Sequence, residues 1–301
     1  RAAGIKAAWV LVASEDREPP APELPLLGQF DRAAVRVELE AGKPVFVYPG
    51  QPTHPWGLLP DRVEGGYYQL LEGEKPAPRP LPSLAGKENG SSETASFSLD
   101  DQGTLAGTVR TVYRGTQAAD MRSLKYRQPD DLRQYLQEWF AGEVHSRLEL
   151  LDYKFTGLED LGPEVALEVR YRVPGYADKA GTLMLFRLPG YPFSGDEVAL
   201  PARDRAMFWD SRTRYAQKIS LELPAGYAPY HLPKESALSW KGFTFTGGYR
   251  SEGARIIFTQ ETGEEDQWVS PEDYPSYRKW TGDQCRFTRE WVVLETKPPQ
   301  P

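Results

Sequence analysis

The chain has 301 residues, 40% of them hydrophobic, and its 36 basic against 43 acidic side chains leave a formal charge of −7. Two or three domains with sizeable cores fit that length, while the negative balance, without a Lys/Arg cluster, excludes the electrostatic footprint of a nucleic-acid or anionic-lipid binder. One cysteine and three histidines exclude a disulfide framework, a four-cysteine zinc site and an iron–sulfur cluster, so no cofactor or metal is expected.

Residues 1–4 read as the end of a helix, an expectation that the chain is a fragment of something longer, and residues 7–13 follow as a β-rich apolar run. A proline-rich loop over 19–25 leads into 33–39, where apolar and charged residues alternate with period two. A tight turn at 41–43 then feeds 44–48, giving a hairpin after an initial strand. No run of roughly 18 apolar residues occurs, so no membrane-spanning segment is expected. Proline-rich and then polar, turn-forming sequence over 74–92 marks the best boundary. It divides a first unit, 1–80, from a linker, 81–92, and two β units, 93–200 and 201–297.

Strands dominate beyond that boundary, over 95–99, 104–113, 165–171 and 181–188. One segment departs from them. Leu132, Tyr135, Leu136, Trp139 and Phe140 stand at i, i+3, i+4, i+7 and i+8, which predicts a single amphipathic helix over about 129–142. Pro129 suits its first position, Asp130 and Asp131 complement the positive end of the helix dipole, and Gly142 can end it. Its apolar stripe is expected against a β-sheet, because left exposed it would be an unusually large patch. Further strands are expected over 218–223, 243–246, 255–258 and 287–294. The fold class is α+β and mostly β: an α/β first unit followed by one or two antiparallel β-sandwich domains carrying a single helix.

Residues 1–12, 29–35, 45–50 and 55–60 resemble the second half of a bacterial transglutaminase-like domain, a papain-type core. The tail, with Leu-Pro-Ala-Gly-Tyr over 223–227, His-Leu-Pro over 231–233 and Pro-Glu-Asp-Tyr-Pro-Ser-Tyr-Arg over 271–278, is similar to the C-terminal β domain of large exported proteins built on such a core. Catalysis in that family uses a Cys nucleophile, a His that activates it and an Asp that orients the His. The resemblance implies a nucleophile upstream of Arg1, with Arg32 standing where the His belongs and Tyr48 where the Asp belongs. Arginine does not take up a proton at neutral pH, and tyrosine supplies no fixed negative charge. The resemblance therefore implies a non-catalytic region of an exported, periplasmic or cell-surface protein that binds a protein or glycan ligand. Arg32 and Tyr48 are expected side by side on neighbouring strands.

Two alternatives stay open: a cysteine acyl-transferase or protease whose nucleophile lies upstream of this chain, and a carbohydrate-binding β-sandwich module. His54, in Thr53-His54-Pro55, is the histidine that would replace the missing base in the first. Trp209, Trp240, Trp268 and Trp280, read as lying in or beside loops, are the residues that would stack on sugar rings in the second. Cys285 reads as a lone structural cysteine at the start of a strand, the acidic pairs as solvated turns or a helix start, and Gly65-Gly66 and Gly247-Gly248 as turns rather than phosphate loops.

Overall fold

The computed structural model describes residues 4–14, 19–24, 26–39, 43–71, 77–189 and 193–296. The expected helix end at 1–3, most of the expected turn at 41–43 and residue 297 lie outside the described residues. The first unit is an antiparallel sheet of β1 (Ala7–Ala13), β2 (Arg32–Glu38), β3 (Pro44–Val47), β4 (Tyr67–Leu70) and β5 (Arg79–Pro80), in the order β3-β2-β1-β4-β5. Alternation decides which face is inside. Val10 and Val12 are fully buried, whereas Trp9 between Ala8 and Val10 is 56% exposed. The buried set, with Ala34, Phe46, Leu59, Val63, Tyr68 and Leu81, makes a small core of its own.

The segment expected as a linker is packed. Leu81 belongs to the first core, and the Leu84 N–H donates to Glu64 Oε1. Buried Asn89 takes the Thr116 N–H and hydroxyl on its carbonyl at 3.1 and 2.9 Å, and donates to the Arg212 carbonyl at 3.1 Å.

The rest of the chain builds one core. Its elements are β6 (Gly90–Leu99), β7 (Leu105–Arg114), α1 (Gly115–Arg122), α2 (Pro129–Glu143), β8 (Glu149–Thr156), β9 (Glu164–Val173), β10 (Asp178–Ala180) and β11 (Leu183–Phe186). They are followed by β12 (Met207–Phe208), β13 (Thr213–Glu222), β14 (Tyr227–His231), β15 (Ser236–Trp240), β16 (Phe243–Glu252), β17 (Arg255–Glu264), β18 (Trp268–Val269), α3 (Tyr274–Thr288) and β19 (Val292–Thr296). Eight strands form a sheet ordered β15-β16-β17-β13-β6-β7-β9-β8, and β10-β11-β19-β14 form a second. The large sheet is antiparallel except where β13 runs parallel to β6. Residues 93–200 and 201–297 thus contribute strands to the same sheet and side chains to the same core.

One face of the large sheet is wet and ionic. Arg172 meets Glu149 at 2.7 Å and Arg214 meets Glu261 at 2.5 Å, exposed pairs worth about 0–1 kcal/mol each. The other face carries Ala95, Phe97, Val109, Val169, Ile219 and Phe258, covered by α2, α3 and the smaller sheet. α2 starts at Pro129, with Asp130 and Asp131 in its first turn. Its stripe lies as expected: Leu132 and Leu136 are buried, with Tyr135, Trp139 and Phe140 packed against the sheet core.

Two further helices correct the expectation of one. α1 has almost no amphipathic pattern, and its Ala118, Ala119 and Arg122 are buried, so periodicity does not announce it. α3 replaces the expected strand over 287–294, which begins only at Val292. Its buried side includes polar Thr281 and Gln284, Pro275 sits near its start, and Gly282 in its interior lowers the local helix propensity. Gly247 and Gly248, expected in a turn, lie inside β16. A Cβ on Gly247 would stand 2.4 Å from the Phe287 ring of α3, so this glycine is what lets the helix approach the strand.

Arg122, at the end of α1, is fully buried. Its Nε donates to the Asp160 carbonyl at 2.8 Å and its Nη1 to the Thr53 carbonyl at 3.4 Å, while Nη2 donates to the carbonyls of Gly162 and Glu164. One planar cation thereby ties the loop after β3, the β8–β9 connection and the start of β9 together.

Candidate functional site

The positions singled out by the transglutaminase-like resemblance meet at one end of the first sheet. Arg32 Nη1 lies 3.4 Å from the Tyr48 hydroxyl, and Arg32 Nε lies 3.3 Å from Ser14 Oγ and 3.8 Å from Asp31 Oδ2. The Ser14 hydroxyl donates to Asp31 Oδ2 at 2.7 Å. Arg32 and Tyr48 are neighbours, as expected, within a hydrogen-bonded polar knot. His54 stands elsewhere, its Nδ1 3.4 Å from Thr53 Oγ1. Burial first, then the nearby Arg122 charge, pushes its imidazole below the ordinary range.

Cys285 lies in α3, not at a strand start, and is buried. A Cβ on Gly195 would come within 3.2 Å of its Sγ. Burial pushes the thiol up, the reverse of what a thiolate nucleophile needs. His231, at the end of β14, lines the same open groove along α3 as Cys285, and His145 accepts the Arg147 N–H at 3.0 Å.

Of the four tryptophans proposed for sugar stacking, Trp280 is core and Trp209 and Trp240 are half-buried against that core. Trp209 and Trp240 pack edge-on or tilted against Phe243 and Tyr277, and Trp280, 7% exposed, stacks on Tyr277 at 5.7 Å. Phe243 of β16 and Tyr277 of α3 hold them edge-on, tilted or stacked, so they present no shared flat platform. Trp268 alone of the four is exposed, at 45%, and tilts against Phe208.

A stronger site lies where no motif marked one. On the inner face of the large sheet, strand registers set Thr111 of β7, Glu93 of β6, Gln217 of β13 and Gln260 of β17 directly opposite one another in a row across four adjacent strands. Apart from Ser91 of β6 and Thr262 of β17, the inner-face positions adjoining the row (Ala95, Val109, Tyr113, Tyr215, Ile219 and Phe258) are apolar or aromatic, so the row is a polar seam on a largely apolar floor. Next to it, Ser91 pairs with Tyr113 on one side and Tyr215 on the other. The C-terminal turn of α2 brings Trp139 and Phe140 above them. A cavity of about 320 Å³ is left between floor and roof, walled also by Tyr171 of β9, at the small end of the range for small-molecule pockets.

Hydrogen bonding in the seam is lopsided. Gln217 Nε2 donates to Glu93 Oε1 at 2.6 Å and to the Pro189 carbonyl at 3.1 Å, which leaves the Gln217 carbonyl oxygen facing inward. The Thr111 hydroxyl donates to Glu93 Oε2 at 3.2 Å. Gln117 Nε2 donates to the Tyr215 hydroxyl at 2.6 Å. Two acceptors are then left over: Gln217 Oε1 and Gln260 Oε1 are buried with no hydrogen-bond partner, and Gln260 as a whole is 5% exposed. Buried orphans of this kind are uncommon and cost about 1–3 kcal/mol apiece.

Burial pushes the Glu93 carboxyl above its usual range, against the opposing pull of the bonds from Gln217 and Thr111. It likewise raises the Tyr113 and Tyr171 phenols, with the Glu93 charge adding to each. A carboxyl whose pKa is higher folded than unfolded favours folding fully below the unfolded value. That contribution is lost as pH rises through the folded value. Glu93→Gln is therefore expected to raise the urea midpoint at about pH 8 and to leave it unchanged at about pH 4. An unfolding series on both proteins checks it, and a variant less stable at the higher pH would contradict the burial of Glu93.

The signal for this seam was in the sequence. Continuing the alternation of Ala95, Phe97 and Leu99 back along β6 places Glu93 and Ser91 on the core side. What the sequence does not carry is the parallel β13–β6 pairing that brings Gln217 beside Glu93.

The fold, then, is a mostly-β α+β protein with a ligand-sized cavity on its largest sheet. No protein-family model and no curated protein matches the chain. A solved structure from Parabacteroides distasonis ATCC 8503, described as a putative protease, is similar with a TM-score of 0.48 at 12% sequence identity, covering 98% of this chain and 41% of that one. The chain thus spans about two fifths of that protein's length.

Proposed function

We propose that this chain is a binding module: it holds a small ligand between the large sheet and α2 and performs no acyl transfer of its own. One observation carries the reading, the polar seam Thr111–Glu93–Gln217–Gln260 on a largely apolar floor, with two buried acceptors left unmatched beneath an aromatic roof. Folds spend stability on such features at functional sites. Support for the non-catalytic part comes from chemistry. The Cys285 thiol is held protonated by burial, and Arg32 and Tyr48 offer neither a proton acceptor nor a fixed negative charge.

Ligand-observed NMR on the full chain with benzyl alcohol and benzylamine tests the reading. At least one of the two is expected to bind at millimolar concentration and to be displaced in Ser91→Phe, whose ring fills the cavity from its floor while circular dichroism stays native. Binding of neither probe, or binding untouched by Ser91→Phe, contradicts it. For the chemistry, incubation with a fluorogenic peptide and with an amine–glutamine acyl-transfer pair is expected to give no turnover. Turnover abolished by iodoacetamide would restore the cysteine-enzyme alternative.

A further inference from the structure

Charge and hydrogen-bond valence in the cavity say more than that a ligand fits. Its lining has two carboxylates, Glu93 and Glu143, and no Lys, Arg or His among the described residues. An anion placed there would meet like charge in a poorly solvated space, which is strongly unfavourable. Three of the donors around the seam are engaged: Gln217 Nε2 and the Thr111 hydroxyl point at Glu93, and Gln117 Nε2 at Tyr215. The seam's buried side-chain atoms without a partner are both acceptors, the carbonyl oxygens of Gln217 and Gln260. A metal ion is not the match, because no group of three His, Cys, Asp or Glu side chains gathers to hold one among the described residues. The same cavity is lined by Trp139, Phe140 and Tyr171, which form a chain of ring contacts, Trp139 to Phe140 at 5.2 Å and Phe140 to Tyr171 at 6.1 Å. Aromatic faces attract cations by their quadrupole, and more so away from water.

We propose that the cavity takes a small organic cation, its protonated amine or guanidinium facing Glu93 and the two glutamine carbonyl oxygens and its apolar body lying among Trp139, Phe140 and Tyr171. The proposal rests on the binding-module reading and adds the ligand's class to it. An N–H-rich cation is the one group that supplies donors to both orphan acceptors and a countercharge to a buried carboxylate at once. A sugar hydroxyl brings donors but no charge. Entry of the cation favours the ionised form of Glu93, so binding releases a proton wherever the empty site holds that carboxyl neutral. The other titratable groups facing it are the Tyr113 and Tyr171 phenols, raised further from neutrality, the Tyr215 phenol, and Glu143 on α2.

Three probes of one shape test the class: benzylamine, benzyl alcohol and benzoate, titrated into the full chain by NMR and calorimetry. Benzylamine is expected to bind at least about tenfold tighter than benzyl alcohol, the factor of a charge-assisted hydrogen bond, and benzoate not at all. Its affinity is expected to rise between about pH 5 and about pH 8, while that of benzyl alcohol stays flat. Glu93→Gln removes the charge with little change of shape, one carboxylate acceptor becoming an N–H donor, and is expected to erase the preference for the amine over the alcohol. Equal affinity for the amine and the alcohol, or preference for benzoate, overturns the cation inference and leaves the cavity a binding site. If no probe binds, both the inference and the binding-module reading fall.

Discussion

Arg122→Ala is expected to cost about 4 kcal/mol or more of unfolding free energy, the largest single effect of any substitution considered. The guanidinium is fully buried and donates to four backbone carbonyls on two stretches distant in sequence, Thr53 and 160–164. Removing it deletes those bonds and costs about 1–3 kcal/mol for each carbonyl that water does not reach. Burial pulls the pKa of Arg122 down, yet an arginine stays charged at neutral pH, so its bonds are charge-assisted. Arg122→Lys is expected to recover less than half of the loss, because an ammonium on a flexible stem does not reproduce a planar fork that spans several acceptors. Urea unfolding followed by circular dichroism checks both. A midpoint for Arg122→Ala within error of the parent would mean that the buried cation is not what joins these segments.

The second large effect is expected at Gly107. Its backbone angle is ordinary, and the constraint is a close approach across the sheet. A Cβ built there would stand 2.2 Å from the Ser96 carbonyl oxygen and 2.4 Å from the Phe97 ring. Register explains the crowding: Gly107 of β7 lies between Phe97 of β6 and Tyr171 of β9, whose rings reach across it to within 5.5 Å of each other. The missing side chain is the space the two rings share. Gly107→Val is expected to destabilise by about 3 kcal/mol, as overpacking of a dense core does. It is also expected to weaken benzylamine binding, because displaced Tyr171 is a wall of the cavity. A stable Gly107→Val protein with unchanged binding would show that the two rings are not held as described.

How much of this was readable without coordinates differs from element to element, and the reasons are physical. α2 was plain, because Pro129, the two aspartates and five apolar residues at helical spacing all agree. The strand over Ala7–Ala13 was plain for its β-branched and aromatic content. α3 was hidden: Tyr, Trp and Phe at its buried positions favour strands when read locally, and Thr281 and Gln284 break the apolar stripe although they are buried. Trp209, Trp240 and Trp280 sat next to polar, turn-like sequence, but their surroundings come from β16 and α3, which are distant in the chain. Arg32 beside Tyr48 was legible through local pairing of β2 with β3, whereas Glu93 beside Gln217 depends on a parallel pairing across more than a hundred residues, which no local pattern encodes.

A crystal of the full chain soaked in benzylamine measures the central claim directly. The account predicts density for one benzylamine in the cavity under α2, its nitrogen within hydrogen-bond distance of Glu93 and of a Gln217 or Gln260 carbonyl oxygen, and its ring against Trp139 or Phe140. An unoccupied cavity with the probe seated instead in the groove along α3, near His231 and Trp291, would contradict it.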